Sequence, residues 1–338
     1  MKIAVFEIKK WEKKIFQKKI KEADFYFSPN IVNPKELKKI KDAQILSVFI
    51  YSKIDKKVLK QLPRLKAIAT RSTGFDHIDL RECQKRKIKV FNVPFYGENT
   101  VAEHTFGLIL SLSRNIHKSY LRTQRNDFSI QGLKGFDLKG RTLGVVGAGH
   151  IGLHVIRIAK SFGMEILAFD VHEDKFLAEV LDFKYLPFKE VLKKSDIISL
   201  HVPYNKHTHH LINRKSIKLF KKGSILINTA RGKIVETEAL IEALDKGILS
   251  GAGLDVLEGE ELIKEDKQLL YDQEKMDKLG SIIKDHILLN MENVVFTPHI
   301  AFYSQEAQER IIETTIENIV RYLTNKKAKT DNLVEGKG

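Results

Sequence analysis

Gly147, Gly149 and Gly152 stand in the run GAGHIG, after the apolar stretch Thr142–Val146 and before HVIRIAKSFG, whose spacing is helical. A strand, a glycine turn and a helix in that order suit a dinucleotide. Gly147 permits the tight turn, Gly149 lets the backbone approach a pyrophosphate, and Gly152 lets the helix pack against the strand. The helix start offers free N–H groups and the positive end of its dipole to phosphate. The next apolar run, Ile166–Phe169, ends in Asp170, about 20 residues further on, where a carboxylate accepts hydrogen bonds from ribose hydroxyls. A carboxylate there repels a 2′-phosphate, so NAD is expected over NADP.

Three further places could supply chemistry, each just beyond a strand-like run. In Asn228-Thr-Ala-Arg231-Gly, the guanidinium offers a planar fork suited to a carboxylate. Its plainer reading is a surface arginine paired with Glu236 or Glu238. Leu254-Asp255-Val-Leu-Glu258-Gly-Glu260-Glu261 gathers carboxylates that read by default as a solvated turn. Thr297-Pro298-His299 leaves a strand directly into a histidine. Together they gain weight, because open α/β sheets bind ligands beyond the carboxyl ends of their strands. His207, His209 and His210 lack a companion carboxylate or cysteine cluster, so no metal is expected. Cys83, in RECQKRK, reads as a polar helical surface without a base to make it catalytic.

The elements that must hold these residues alternate. Strand-like runs occur at Ile3–Phe6, Ile45–Phe49, Ala67–Ala69, Val90–Asn92, Thr142–Val146, Ile166–Phe169, Ile197–Leu200, Ile225–Asn228, Ala252–Val256 and Val294–Thr297, with helical spacing between most of them. Such alternation predicts parallel sheets covered by helices on both faces. Thr100 and Glu103 have the spacing of a capping box, ahead of an apolar series at Val101, Leu108, Ile109, Leu112 and Ile116. A second long helix is expected over about 304–324, with Ile311, Ile312, Thr315, Ile319 and Leu323 on one side. The tail KKAKTDNLVEGKG is expected to fray.

The chain has 338 residues, 43% of them hydrophobic, enough for two domains with their own cores. A net charge of +15 raises nucleic acid as a partner, but lysines are interleaved with acidic residues and no nucleic-acid motif accompanies them. Solvated, lysine-rich helix faces account for the excess, and neither nucleic acid nor membrane is expected. One cysteine and a start without an apolar signal region suit a soluble cytoplasmic protein.

Seven segments carry a resemblance: TRSTGFDHIDL, VPFYGENTVAEHT, VVGAGHIG, HVPYNKHT, INTARG, GAGLDVLEGEE and TPHIAFY. In this order they resemble the D-isomer-specific 2-hydroxyacid dehydrogenases, over nearly the whole chain. The resemblance implies two Rossmann-like parallel-sheet α/β domains, one flavodoxin-like and one dinucleotide-binding, with a cleft between them. Residues 1–100 and 301–338 would form a discontinuous substrate domain, and 101–300 the NAD-binding domain. Arg231 would bind the substrate carboxylate, His299 would be the proton donor in reduction, and Glu260 would hydrogen-bond His299 and raise its pKa. Ser72, Thr73 and Gly74 would contact the substrate carboxylate. His150 and Ile151 would meet the cofactor phosphates, and Val202, Pro203 and Thr208 would line its pocket. Thr229, Ala230 and Asp255 would lie nearer the nicotinamide.

Within the family, Tyr96 and the AFY after His299 are similar to the D-lactate-forming members. Tyr96, Phe302 and Tyr303 would close over a small methyl-bearing pocket, so pyruvate to D-lactate is the expected reaction. Broader glyoxylate or hydroxypyruvate reduction is an alternative, as is a non-catalytic NAD(H)-sensing protein of the same fold. Residues 261–290 depart most from the family pattern and read as a helical insertion. The resemblance also implies a homodimer built around the helix near Thr100.

Overall fold

The computed structural model describes residues 1–258, 286–324 and 332–334. The chain divides into two units, Met1–Gly97 with Ser304–Gly338, and Glu98–Tyr303. In the first, strands β1 (Lys2–Val5), β2 (Asp24–Phe27), β3 (Ile45–Val48), β4 (Ala67–Thr70) and β5 (Lys89–Phe91) form a parallel sheet in the order β2-β1-β3-β4-β5. Its inner strands are apolar on both faces because both faces are covered. Ala4, Leu46, Ile68 and Val90 lie in one core; Ile3, Val5, Ile45 and Ala69 lie in the other. β2, an edge strand of the sequence DFYF, was not among the expected runs.

The helix Gln305–Leu323 closes the second of these cores. Ser304 caps it, its hydroxyl oxygen accepting the Ala307 N–H at 3.1 Å. Ile312, Ile316 and Ile319 recur at helical spacing and are buried against the sheet, each contributing about 2 kcal/mol of apolar burial. Part of the tail expected to fray is docked. Asn332 accepts the Asn92 N–H, and the Val334 N–H donates to Val90. The open edge of β5 offers unpaired backbone groups to any segment with apolar side chains to bury, and Leu333 and Val334 supply them.

The second unit holds β6 (Thr142–Val146), β7 (Glu165–Phe169), β8 (Lys184–Tyr185), β9 (Ile197–Leu200), β10 (Ser224–Asn228), β11 (Leu249–Leu254) and β12 (Val294–Phe296). They form a parallel sheet in the order β12-β11-β10-β9-β6-β7-β8. Counted from β6, that is the doubly wound order 3-2-1-4-5-6 with one more strand, and its switch point lies between β6 and β9.

The helix expected near Thr100 spans Glu98–Ser113. The capping box is not its start. Thr100 lies buried inside the first turn, and Glu103 accepts a hydrogen bond from Asn99 at 3.2 Å. Val101, Leu108, Ile109 and Leu112 are buried as expected, but Ile116 is exposed. Asn115, in a left-handed conformation (φ 50°), turns the chain before a separate helix begins at Ile116. Gly253 gives the long helix room, since a Cβ there would lie 3.0 Å from the Leu108 Cβ. Cys83 also departs from its expected place. It packs in the core of the first unit beside Leu59 and Ile88, because its short helix, Leu80–Lys85, turns that face inward.

Candidate active site

At the switch point each glycine has its own reason. Gly147 has φ +98°, and a Cβ there would lie 2.6 Å from the His201 carbonyl oxygen. A Cβ on Gly152 would lie 2.0 Å from the Gly147 carbonyl oxygen, so the helix His150–Ser161 packs on the turn only with glycine there. Gly149 faces open space. It is the N-cap of that helix, without a side-chain cap, so backbone donors at His150 and Ile151 begin a helix open to an anion. Asp170 directly follows β7, and its carboxylate accepts N–H groups from Ala148 (2.7 Å) and His172 (3.0 Å). An open glycine approach, a helix start without a side-chain cap and an anchored carboxylate together fit the pyrophosphate and ribose of NAD.

β9 runs into His201, whose N–H donates to Val146 and whose Nε2 lies 2.8 Å from the Ser199 hydroxyl. Burial pushes the pKa of this imidazole down to about 3, so it is neutral at physiological pH. In the following loop, Thr208 donates to the Pro203 carbonyl at 2.6 Å and accepts the Asn205 N–H. The Thr208 hydroxyl therefore fixes the turn that carries Val202 and Pro203. His209 stacks on His210, and His210 pairs with Glu258 at 2.7 Å. Among the described residues no group of three or more His, Cys, Asp or Glu is arranged to hold a metal ion.

Beyond β10, the buried Asn228 side chain donates to the Arg231 carbonyl (3.0 Å) and accepts the Ala230 N–H (3.1 Å), closing the loop that presents Arg231. Gly232 follows, and a Cβ there would lie 2.0 Å from the Leu257 carbonyl oxygen. The carboxylates considered as surface partners for Arg231 both receive Arg214: Glu236 from its backbone N–H and Glu238 from its guanidinium.

Beyond β11, Asp255 is 0% exposed. Its carboxylate accepts the Thr297 hydroxyl (2.5 Å) and the N–H groups of Ile300 (2.9 Å) and Ala301 (2.8 Å). Its carbonyl accepts the N–H of His299 at 2.9 Å. His299 adopts φ 55°, a strained conformation for a residue with a Cβ, and Asp255 grips the chain on both sides of it. Asp255 thus has a positional part: a buried carboxylate holding the loop that carries the histidine. The Phe302 ring meets the His299 ring edge-on at 6.2 Å and the Tyr303 ring at 5.8 Å. Glu260 and most of the expected insertion, residues 261–285, lie outside the described residues; 286–289 form a helical turn with Leu288 buried.

In the first unit the loop after β4 carries Ser72, Thr73 and Gly74. Ser72 donates to the Gly74 carbonyl (2.7 Å), Thr73 donates to Val93 (2.8 Å), and Asn92 donates to the Thr73 carbonyl (2.8 Å). Preceding them, Arg71 is almost wholly buried and donates to the carbonyls of Phe6 (2.6 Å) and Glu7 (2.9 Å) and to Ser47. Tyr96 accepts Arg310 Nε on its carbonyl at 2.5 Å.

Sequence reasoning passed over Arg71, His104, Thr105, Asn228, Gly232 and Thr297. All but Arg71 and His104 are residue types that pass as turn, cap or helix filler. Their one signal was membership in the same short segments as the residues that were singled out.

The model of the D-isomer specific 2-hydroxyacid dehydrogenase NAD binding domain matches residues 106–301. A D-lactate dehydrogenase of Escherichia coli K12 is 34% identical over 326 residues, covering 94% of this chain and 96% of the relative. A glyoxylate reductase of Pyrococcus furiosus is 36% identical over 299 residues, covering 86% and 83%. Among solved structures, the D-lactate dehydrogenase of Aquifex aeolicus complexed with NAD and lactic acid superposes with a TM-score of 0.90 at 38% identity, covering 99% of this chain and 100% of that one.

Proposed function

Because the chain belongs to the D-isomer specific 2-hydroxyacid dehydrogenase family, with NAD as its cofactor, we propose that it reduces a small 2-oxoacid to the D-2-hydroxyacid, with pyruvate to D-lactate as the reaction. One observation carries the chemical part of this reading. The chain spends a buried carboxylate and a strained backbone on presenting a single histidine, His299, at a strand end.

Bound NADH supplies the hydride. Arg231 binds the substrate carboxylate as a fork and draws electron density from the carbonyl oxygen, which gains charge as the hydride arrives. His299 gives its proton to that oxygen, and takes it back in the reverse direction. Glu260 is assigned the partner of His299. Ser72, Thr73 and Gly74 are assigned to the substrate carboxylate, and Tyr96, Phe302 and Tyr303 to its side chain. Val202, Pro203, Thr208, Thr229 and Ala230 are assigned to the cofactor, with Asp255 acting through the His299 loop.

The glyoxylate reductases among the relatives favour a second reading, broader 2-oxoacid reduction. A panel of pyruvate, glyoxylate and hydroxypyruvate with NADH and NADPH, followed by chiral analysis of the product, separates the two. D-lactate with the highest kcat/KM for pyruvate supports the first; no turnover on any 2-oxoacid overturns both.

We also propose a cytoplasmic homodimer. Phe128 and Ile130, 77% and 86% exposed, lie just beyond the Ile116–Thr123 helix, whose Ile116, Tyr120 and Leu121 are exposed as well. So much apolar surface on one short stretch fits a face that a second copy covers.

A further inference from the structure

We propose that His104 and Thr105, consecutive on the helix Glu98–Ser113, are positioning residues that brace the two loops presenting His299 and Arg231. The proposal rests on the reading that those two residues do the chemistry.

His104 Nε2 lies 2.8 Å from the Thr297 hydroxyl. That hydroxyl has one proton, and it points at the Asp255 carboxylate, 2.5 Å away. Thr297 must therefore accept from His104, which assigns the imidazole its proton at Nε2. The same nitrogen lies 3.5 Å from the carboxylate itself. Asp255 in turn holds the N–H groups of Ile300 and Ala301. A chain of directed bonds thus runs from His104 through Thr297 and Asp255 to both peptide groups that follow His299. Without its first member, Thr297 can turn away and the buried carboxylate loses a donor.

Thr105 does the corresponding work on the other loop. Its hydroxyl donates to the Val101 carbonyl at 2.8 Å, as helical threonines do, so it accepts from Thr229 at 3.1 Å. Thr229 is buried and stands two residues before Arg231. One rigid helix therefore sets the proton donor and the carboxylate fork against a common reference. A misplacement of about 1 Å in such a pair costs on the order of 100-fold in rate.

The test pairs turnover with hydrogen exchange in His104→Ala, His104→Gln and Thr105→Val, beside wild type and His299→Ala. Glutamine keeps a donor at comparable reach. In His104→Ala the amides of Thr297, His299, Ile300 and Ala301 should exchange about tenfold faster in the cofactor-free protein, and kcat on pyruvate should fall about tenfold or more. NADH binding should stay within about twofold, since the glycine turn is untouched. His104→Gln should restore both exchange and kcat, and Thr105→Val should raise KM for the oxoacid more than it lowers kcat. Unchanged exchange at those amides in His104→Ala, or a glutamine variant no better than alanine, overturns the brace. Faster exchange in a protein whose wild type turns over no 2-oxoacid leaves the brace standing and removes the functional reading instead.

Discussion

The Leu257 carbonyl oxygen occupies the space a side chain on Gly232 would need, 2.0 Å from the Cβ position. The residue after Arg231 is thus pressed against the segment that leaves Asp255. Gly232→Ala should force the two apart, costing about 1–3 kcal/mol of stability from overpacking. Loss of activity should exceed that, through a displaced Arg231, with KM for the oxoacid rising first. Steady-state kinetics with urea unfolding check it; an alanine variant with native KM would show that the loop yields without moving Arg231.

Asp170 ties its own position to the glycine turn through the Ala148 N–H at 2.7 Å. Asp170→Ala removes both a charge-assisted bond to that turn and the carboxylate assigned to the ribose. NADH affinity should drop by about tenfold or more, and discrimination against NADPH should shrink, since no charge opposes the 2′-phosphate. Fluorescence titration with both nucleotides measures it. Preserved discrimination would assign cofactor choice to another group.

His201 predicts a pH dependence of stability. Its pKa is about 3 in the folded protein, against an ordinary value near 6.5. Between those limits the unfolded chain binds the extra proton, so the contribution is complete above pH 6.5 and declines as pH falls toward 3. His201→Asn should flatten the loss of stability between pH 6 and 4, by up to about 1 kcal/mol per pH unit. Urea midpoints across that range decide it. Parallel curves for the two proteins would assign acid sensitivity elsewhere.

Cys83 is 1% exposed, and burial pushes its thiol up to about 11. At pH 8 only about a thousandth is thiolate. The native protein should resist thiol reagents for hours and label fully once unfolded. Rapid native labelling would mean that the core of the first unit opens readily.

For the apolar stretch beyond the Ile116–Thr123 helix, Ile130→Asp should shift sedimentation from dimer to monomer. The charge would sit in a face that association must desolvate. An unshifted dimer would place the interface elsewhere.

Much of the architecture was legible because its signals are local. Thr142–Val146 and Ile197–Leu200 are strands at the expected bounds, since a strand buried on both faces is continuously apolar and ends where polar residues begin. β2 and β8 carry no such signal, because an edge strand needs neither length nor full burial. Cys83 reads as surface in the sequence because its charged neighbours there are not its neighbours in space.

The sequence by itself determined the turn at Gly147, the strand ends at Asp170, Arg231, Asp255 and His299, and hence the kind of chemistry within reach. A glycine turn, an apolar run and a strand-end polar residue each depend on a few adjacent residues. Only the tertiary structure decided what those residues do for one another. It set the Asp255 carboxylate to holding the His299 loop, closed the space above Gly232, and brought His104 to Thr297 across 193 positions of chain. Burial and hydrogen-bond direction come from groups remote in the chain, and no local pattern encodes where these arrive.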